Sequence, residues 1–348
     1  METIDAPTNA ERKAEARFDG DPLLEITDLE VTVESKGEAR GQTIVTGVSF
    51  SVWPGEVVAV VGESGSGKST VCHAVVGLLA QNLSVSQGTV TFKGRNLIGL
   101  SDRQLRAVRG RQIGMVFQDP LAALNGVRKI GRQLIESRII HGIDKRSAAR
   151  RWAEQTVEQL GFKDPKATLD AYPGTLSGGM RQRICVGIAF SAEPEMVIAD
   201  EPTTALDVSL QGRLLRVLLQ YAQTLNSSVL LVSHDIGVVR AVSNRIVVMY
   251  GGRVLETGPT DEVMADPRSP YTKALLEALP TLDPARRGHD LATIQGETAP
   301  SELNGCPFAS RCARALPQCS DTFPTVAGDG VHDTWCWNPV PEKESAHV

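Results

Sequence analysis

A glycine-rich loop, GESGSGKS, occupies residues 62–69 and matches the phosphate-binding pattern GxxxxGK[ST]. A short apolar run precedes the loop and a helical pattern follows it, which is the context that such a loop needs. In this arrangement backbone N–H groups turn toward phosphate oxygens, a lysine reaches the outer phosphates and a hydroxyl ligates Mg²⁺. The pattern therefore predicts a nucleotide site in which Lys68 holds phosphate and Ser69 holds Mg²⁺.

Three further apolar runs are followed by side chains that suit phosphate chemistry. MVIAD ends in Asp200 and precedes Glu201, whereas IGMVF precedes Gln118 and SVLLVS precedes His234. Because ligands bind at the carboxyl ends of parallel strands, we expect these side chains at one sheet edge. Asp200 would share Mg²⁺ with Ser69. Glu201 would activate water and His234 would bond the γ-phosphate, although a surface strand end and a structural histidine are the alternatives.

The spacing of apolar residues predicts an α/β domain. LLEITDLEVTV and IVTGVSFSV alternate as antiparallel strands do, VVAVVG is typical of a strand buried on both faces, and Lys68 to Leu79 favours a helix. No strand pattern occurs between IGMVF and MVIAD, so residues 120–192 are predicted to form a helical subdomain. We expect a mobile tail at 1–21, the main domain at 22–279 and an extension carrying four cysteines at 280–348.

The net charge of −5 argues against nucleic acid as the main partner, because phosphate binding usually needs a basic excess. No apolar run approaches the roughly 18 residues of a spanning helix, and the first residues do not resemble a signal peptide, so we expect a cytoplasmic chain. One region is basic, which predicts either a solvated helical face or a contact with a partner or acidic lipid. Its residues are Arg103, Arg106, Arg109, Arg111, Arg128, Lys129, Arg132, Arg138, Lys145, Arg146, Arg150 and Arg151.

A second glycine-bearing loop, LSGGMRQR, begins at Leu176 and opens an apolar helix. Its first residues would offer N–H groups and a positive helix end to a phosphate. Six motifs now stand in order: GESGSGKST, Gln118, LSGGM, VIADE, TTALD and VSHD. Over about residues 23–335 this order resembles the ATPases of ABC transporters, most closely the D-type ATP-binding subunit of oligopeptide and dipeptide importers.

The resemblance implies a P-loop NTPase fold with a RecA-like core, an antiparallel β subdomain, a helical subdomain and a small carboxyl-terminal extension. It assigns ATP and Mg²⁺ as ligands, and it adds Gln118 to Ser69 and Asp200 as residues expected at Mg²⁺. The residues expected at ATP are Gly62, Glu63, Ser64, Gly65, Ser66, Gly67, Lys68, Ser69, Thr70 and Gln118. Those expected to reach the ATP of a partner are Ser177, Gly178, Gly179 and Asp207. Val33 stands where many relatives carry an aromatic residue for adenine, so another group is expected to hold the base or the stacking is weak.

The implied partners are a second, homologous ATPase in a head-to-tail heterodimer, two transmembrane permease subunits and an extracytoplasmic substrate-binding protein. The implied function is ATP hydrolysis that energises uptake of dipeptides or oligopeptides, with the chain peripheral on the cytoplasmic side of the cytoplasmic membrane. Two alternatives stay open. One is the same machine with nickel, heme or glutathione as cargo, and the other is a soluble ABC ATPase that acts on nucleic acid or ribosomes.

The six cysteines divide into two groups. Cys72 and Cys185 lie in apolar helical patterns and are expected to be buried packing residues. The other four are close together in the extension, where disulfides are disfavoured in a cytoplasmic chain and four thiolates suit zinc or an iron–sulfur cluster. They are Cys306, Cys312, Cys319 and Cys336. The resemblance favours a [4Fe-4S] cluster; zinc and unliganded thiols are the alternatives.

Overall fold

The computed structural model describes residues 20–34, 42–204, 206–278, 294, 296 and 304–341. Almost all of the tail predicted at 1–21 lies outside the described residues. The strands are β1 (Leu24–Val33), β2 (Thr43–Val52), β3 (Val57–Val61), β4 (Leu83–Phe92), β5 (Arg95–Asn96), β6 (Ile113–Val116), β7 (Met196–Asp200), β8 (Ser228–Val232), β9 (Arg245–Tyr250), β10 (Arg253–Pro259), β11 (Ala327–Gly328) and β12 (Asp333–Thr334).

Helices connect many of these strands. The α-helices are α1 (Lys68–Val75), α2 (Asp102–Val108), α3 (Pro120–Ala123), α4 (Ile130–Ile140), α5 (Arg146–Gln159), α6 (Pro165–Asp170), α7 (Gly178–Ala189), α8 (Val208–Thr224), α9 (Ile236–Val242), α10 (Thr260–Ala265) and α11 (Pro270–Glu277). Short 3-10 helices occur at Pro173–Thr175, Ala309–Arg311 and Pro317–Cys319. Within the described ranges, no helix is long and apolar enough to cross a membrane.

The chain forms two compact units. Among the described residues, the first unit comprises those within 20–23, 52–57 and 99–233, and the second comprises those within 24–51, 58–98 and 234–341. The chain therefore passes between the units several times. The domain boundaries expected from the sequence, including 279/280, stay predictions.

An antiparallel sheet in the second unit has the strand order β2-β1-β4-β5. Strand β1 pairs with β4 in a register that sets Ile26 opposite Val90, and both side chains are buried. The pairing is irregular near Asp28, which has a φ of 48°. Gly88 lies beside this irregularity, and a Cβ there would come within 2.4 Å of the Asp28 carbonyl oxygen. A glycine is thus needed where the two backbones approach most closely.

The second unit also contains strands β11-β12-β10-β9-β3 in that order. β3 and β9 are parallel, and β10 pairs with β9 and with β12 in antiparallel fashion. All five residues of β3 are buried, as expected for an apolar run without alternation. The aromatic rings of Tyr250, Tyr271 and Phe308 meet in the core beside these strands, with centroids 4.6 to 5.3 Å apart. Phe308 belongs to the extension, which therefore contributes to this core.

Parallel strands β6, β7 and β8 lie in the first unit, with β7 in the middle. All residues of β7 and β8 are buried. No strand occurs among residues 117–195, all of which the structure describes, and helices α3 to α7 fill that segment. Fully buried Ile130, Leu134, Leu160 and Leu169 form part of its core. The prediction that this segment is helical is confirmed.

Helix α1 ends four residues earlier than the prediction at Leu79. Gly77 adopts a φ of 62°, and the Leu78 N–H bonds to the carbonyl oxygen of His73 at 2.8 Å. A left-handed glycine with this bond is the Schellman ending of a helix. The predicted end was wrong because the apolar pattern continues through residues 75–79, while the backbone turns at the glycine.

Candidate nucleotide site

The phosphate-binding loop joins β3 to α1 in the second unit. Gly62 has a φ of 149°, and a Cβ on it would lie 2.0 Å from the carbonyl oxygen of Met249. Gly67 precedes α1 with a φ of 92°, a left-handed conformation that favours glycine. The loop therefore needs glycine at both positions, one for close approach to β9 and one for entry into the helix.

Lys68 is the first residue of α1, and only 4% of its surface is exposed. Its Nζ donates to the carbonyl oxygens of Gly62 and Glu63 at 2.9 and 2.7 Å and lies 3.2 Å from Ser66 Oγ. A buried ammonium needs such acceptors. The lysine is thus held inside the loop, where phosphate oxygens can replace or join these acceptors.

Glu63 is anchored at both its backbone and its side chain. Its N–H donates to the Tyr271 hydroxyl at 2.9 Å, and its carboxylate lies 2.7 Å from Arg311 Nη1. Burial raises the pKa of Tyr271, so its hydroxyl stays protonated at neutral pH. The Glu63 amide, which was expected at ATP, is engaged by Tyr271 in this conformation.

In the first unit, Glu201 follows β7 in a left-handed conformation with a φ of 43°. Its N–H donates to the Val232 carbonyl oxygen at 3.1 Å, continuing the pairing with β8. Its Oε2 accepts from Gln118 Nε2 at 3.1 Å and from Thr204 Oγ1 at 2.8 Å. Two donors on one oxygen restrict the rotation of the carboxylate. The structure thus brings together Gln118 and Glu201, two of the residues predicted at this edge.

Asp200 is the last residue of β7 and is buried, with 2% of its surface exposed. His234 is exposed and lies two residues after β8 ends. Ser69 is in helix α1 of the second unit, whereas Asp200 and Gln118 are in the first unit. The assignment of these three residues to Mg²⁺ stays a prediction, as does the γ-phosphate contact of His234.

The LSGG loop lies at the start of α7 in the first unit. Ser177 precedes the helix, is exposed, and its Oγ accepts from the Met180 N–H at 3.4 Å. A Cβ added to Gly178 would meet nothing within 4 Å. Asp207 is exposed and precedes α8. Gly178 thus has open space beside it at the start of α7, whereas a Cβ on Gly179 would lie 3.3 Å from the side chain of Leu210. The contact of this loop with the phosphate of a partner's ATP stays a prediction.

Sequence comparisons add to this geometry. The family "ABC transporter" matches residues 45–204, and the family "Oligopeptide/dipeptide transporter, C-terminal region" matches residues 255–319. A dipeptide transport ATP-binding protein of Bacillus subtilis is 39% identical over 94% of this chain and 97% of its own length. The chain belongs to the ABC transporter family of oligopeptide and dipeptide transport ATP-binding proteins. The expectation of this family from the motifs is confirmed.

Relatives of this ABC family differ in length. An oligopeptide transport ATP-binding protein of Mycobacterium tuberculosis is 44% identical over 88% of this chain, and the chain spans 50% of that relative. Among solved structures, the ATP-binding cassette MJ0796, a dimer bound to ADP and Pi, matches with a TM-score of 0.61 and 25% identity. That likeness covers 68% of this chain and 98% of the solved chain. The predicted α/β P-loop NTPase fold is confirmed.

The sulfur atoms of this ABC family member fall into two environments. Cys72 and Cys185 are buried in α1 and α7, as predicted, and burial raises the pKa of Cys185 to about 12. The other four cysteines line one cavity in the extension. Burial raises the pKa of Cys306 to about 11 and also raises the pKa values of Cys312 and Cys336.

Backbone N–H groups point at three of these four sulfurs. The N–H groups of Arg314, Leu316 and Asn338 lie 3.4 Å from the Sγ atoms of Cys312, Cys319 and Cys336, respectively. Thiolates with hydrogen bonds to sulfur are the ligand type of iron–sulfur clusters. Among the described residues, however, no group of three or more His, Cys, Asp or Glu side chains is placed so that it could hold a metal ion. The assignment of an iron–sulfur cluster, a zinc ion or no metal to these four cysteines stays a prediction.

Three residues with contacts at the site were not found from the sequence. Thr204 bonds Glu201, and Tyr271 and Arg311 bond Glu63. Thr204 lies within TTALD, so its place in a motif was the available signal. Tyr271 and Arg311 are 208 and 248 residues from Glu63, and no local pattern connects them to the loop.

Proposed function

We propose that the chain is the ATP-hydrolysing subunit of an ABC importer that energises uptake of dipeptides or oligopeptides across the cytoplasmic membrane. The observation that carries the proposal is the oriented carboxylate of Glu201, held by Gln118 and Thr204 directly after β7. The phosphate-binding loop with buried Lys68 supplies the ATP site. The peptide cargo is supported by the match of residues 255–319 and by the names of the relatives.

The chemistry assigns each residue one task. Lys68 and the loop amides neutralise the negative charge of the β and γ phosphates. The Glu201 carboxylate accepts a proton from the attacking water, and the bonds from Gln118 and Thr204 keep that carboxylate aimed. His234 bonds the γ-phosphate. Mg²⁺, when bound, neutralises phosphate charge, and Ser69, Gln118 and Asp200 would hold it.

A second, homologous ATPase completes the proposed machine. Ser177, Gly178 and Gly179 would contact the γ-phosphate bound by the partner's loop, and Asp207 would lie at the same interface. Support comes from the exposure of Ser177 and Asp207 and from the open space at Gly178. Two permease subunits and an extracytoplasmic binding protein complete the importer, which places this chain on the cytoplasmic face of the membrane.

The same proposal includes a [4Fe-4S] cluster held by the four cysteines of the extension. Support comes from their shared cavity and from the backbone N–H groups that point at three sulfurs. Anaerobic purification followed by iron, sulfide and zinc analysis tests it. About four irons and four sulfides per chain, lost in Cys312→Ser, support the cluster; one zinc or no metal contradicts it.

Purification in mild detergent, followed by reconstitution with the binding protein, tests the function. The expected complex contains two multi-span proteins and a second LSGG-bearing ATPase. Its ATPase activity and the uptake of a radiolabelled peptide mixture should both disappear in Glu201→Gln. Uptake of nickel, heme or glutathione, without uptake of peptide, would show that the cargo is one of these compounds and not a peptide. Copurification with ribosomes or nucleic acid, without membrane proteins, would overturn the transport function.

A further inference from the structure

An ion pair connects the extension to the phosphate-binding loop within the second unit. Arg311 Nη1 lies 2.7 Å from Glu63 Oε2 and 2.8 Å from the Tyr250 hydroxyl, and Nη2 donates to the Ile294 carbonyl oxygen at 2.8 Å. The side chain of Arg311 is only 6% exposed, and that of Glu63 is 24% exposed. Most surface ion pairs are worth little, but this one is largely shielded from water.

The segment around Arg311 also packs behind the loop. Phe308 forms edge contacts with the rings of Tyr250 and Tyr271, at 5.3 and 5.2 Å. Tyr271 in turn accepts the Glu63 N–H. A Cβ on Gly251 would lie 2.6 Å from Pro307 Cβ, so the extension approaches the end of β9 closely. Arg311 is therefore fixed by its surroundings rather than by Glu63 alone.

The charge of Glu63 has a direct consequence for nucleotide binding. A carboxylate within a loop that binds polyphosphate repels the incoming ligand unless a cation neutralises it. The guanidinium of Arg311 supplies that cation and fixes the position of the carboxylate through a short, charge-assisted bond. Without Arg311, the unpaired carboxylate of Glu63 would make the loop both more negative and less ordered.

We propose that Arg311 is a positioning residue of the ATP site, through which the carboxyl-terminal extension sets the affinity of the phosphate-binding loop for ATP. Arg311 acts through Glu63 and is not itself a catalytic residue. The inference rests on the proposed binding of ATP at Lys68, and it adds that the extension belongs functionally to the nucleotide site.

The test measures the Kd for Mg-ATP of the full chain by calorimetry, and KM and kcat in the assembled transporter. Arg311→Ala should raise Kd and KM about tenfold, as expected for loss of a charge-assisted bond, with a smaller change in kcat. Arg311→Lys should keep most of the affinity, because it keeps the charge. Adding Glu63→Gln to Arg311→Ala should restore Kd to within about threefold of the original, because the uncompensated carboxylate is removed.

Arg314→Ala is the matched control. Arg314 is three residues away and bonds to Asn338 and Pro339 within the extension. Its replacement should leave the Kd for ATP unchanged while it lowers thermal stability. An equal rise of Kd in Arg314→Ala, an unchanged Kd in Arg311→Ala, or no restoration by Glu63→Gln would each overturn the inference. Lys68→Ala separates the two proposals, because undiminished ATP binding in that variant would overturn the ATP site itself.

Discussion

The side-chain amide of Gln118 donates a hydrogen bond to Glu201 Oε2 over 3.1 Å. Thr204 Oγ1 donates to the same oxygen at 2.8 Å. The orientation of the proposed general base thus depends on two neighbours from different segments of the first unit. A change at Thr204 should alter the chemical step without removing a group assigned to ATP or Mg²⁺, whereas Gln118 is assigned to both.

Replacing Glu201 by Gln should abolish hydrolysis while ATP still binds. The variant keeps the shape of the side chain but cannot accept a proton, and loss of a general base lowers kcat by about 10² to 10⁴-fold. Steady-state ATPase assays of the transporter and ATP calorimetry on the chain check both parts. Glu158→Gln makes the same change at an exposed position of α5 and should have no effect. Substantial turnover by Glu201→Gln would refute the base assignment.

Replacing Thr204 by Val removes one of the two hydrogen bonds to Glu201 Oε2 with little change in volume. We expect kcat to fall about tenfold and KM for ATP to stay near its original value, because a less ordered base weakens only the transition state. Thr204→Ser keeps the hydroxyl and should retain most activity. Equal losses in the valine and serine variants would show that the hydroxyl is not the important group.

Replacing Gly62 by Ala should damage the fold of the loop. The added Cβ would lie 2.0 Å from the Met249 carbonyl oxygen, and the φ of 149° is unfavourable for alanine. Thermal unfolding should show a lower Tm, and calorimetry should show loss of ATP binding. An unchanged Tm in this variant would contradict the close approach of Gly62 to the Met249 carbonyl oxygen.

Replacing Gly178 by Ala should leave folding and ATP binding intact but lower the ATPase activity of the assembled pair. The added Cβ meets no atom within 4 Å, and alanine favours a helix start more than glycine does, so Tm should not fall. If Gly178 faces the partner's ATP, a methyl group there obstructs closure of the dimer. ATP binding by the isolated chain should therefore persist while ATPase activity of the assembled pair falls at least about tenfold. Full activity of the assembled pair would exclude a close contact at this glycine.

Replacing Glu256 by Ala should destabilise the attachment of the extension. Fully buried Glu256 accepts from the N–H groups of Arg268 and Ser269 at 2.7 and 2.9 Å and lies 2.8 Å from His332 Nε2. Removing the partner of several buried polar groups costs about 3 kcal/mol. Urea unfolding measures the loss. Glu277→Ala removes an exposed carboxylate from α11 and should change the free energy of unfolding by less than about 1 kcal/mol.

Cys185 should resist alkylation in the folded chain. Burial raises its pKa to about 12, so at pH 8 only about one thiol in 10⁴ is the reactive thiolate. The raised pKa means that the folded state keeps the proton as pH rises from 8 to 10, whereas the unfolded thiol loses it. Iodoacetamide labelling followed by peptide mass spectrometry should therefore modify Cys185 rapidly in urea and hardly at all without it. Rapid labelling of the folded chain at pH 8 would contradict its burial in α7.

Local patterns predicted many elements because the residues that form them are neighbours in sequence. The apolar runs of β3, β7 and β8 are buried strands, and the long segment before β7 is helical. The end of α1 was missed because one glycine conformation at Gly77 outweighed a continuing apolar pattern. The order of the six motifs was sufficient for the family, since each motif is short and contiguous.

The amino-acid sequence by itself determined which chemical groups this protein possesses: a phosphate-binding loop, the acid pair Asp200 and Glu201, a second glycine loop and four clustered cysteines. Only the tertiary structure decided which of these groups touch. Gln118 meets Glu201 across 83 residues, and Arg311 meets Glu63 across 248. The physical reason is that hydrogen bonds and ion pairs depend on distances of a few ångströms, which the packing of distant segments sets and spacing along the chain does not.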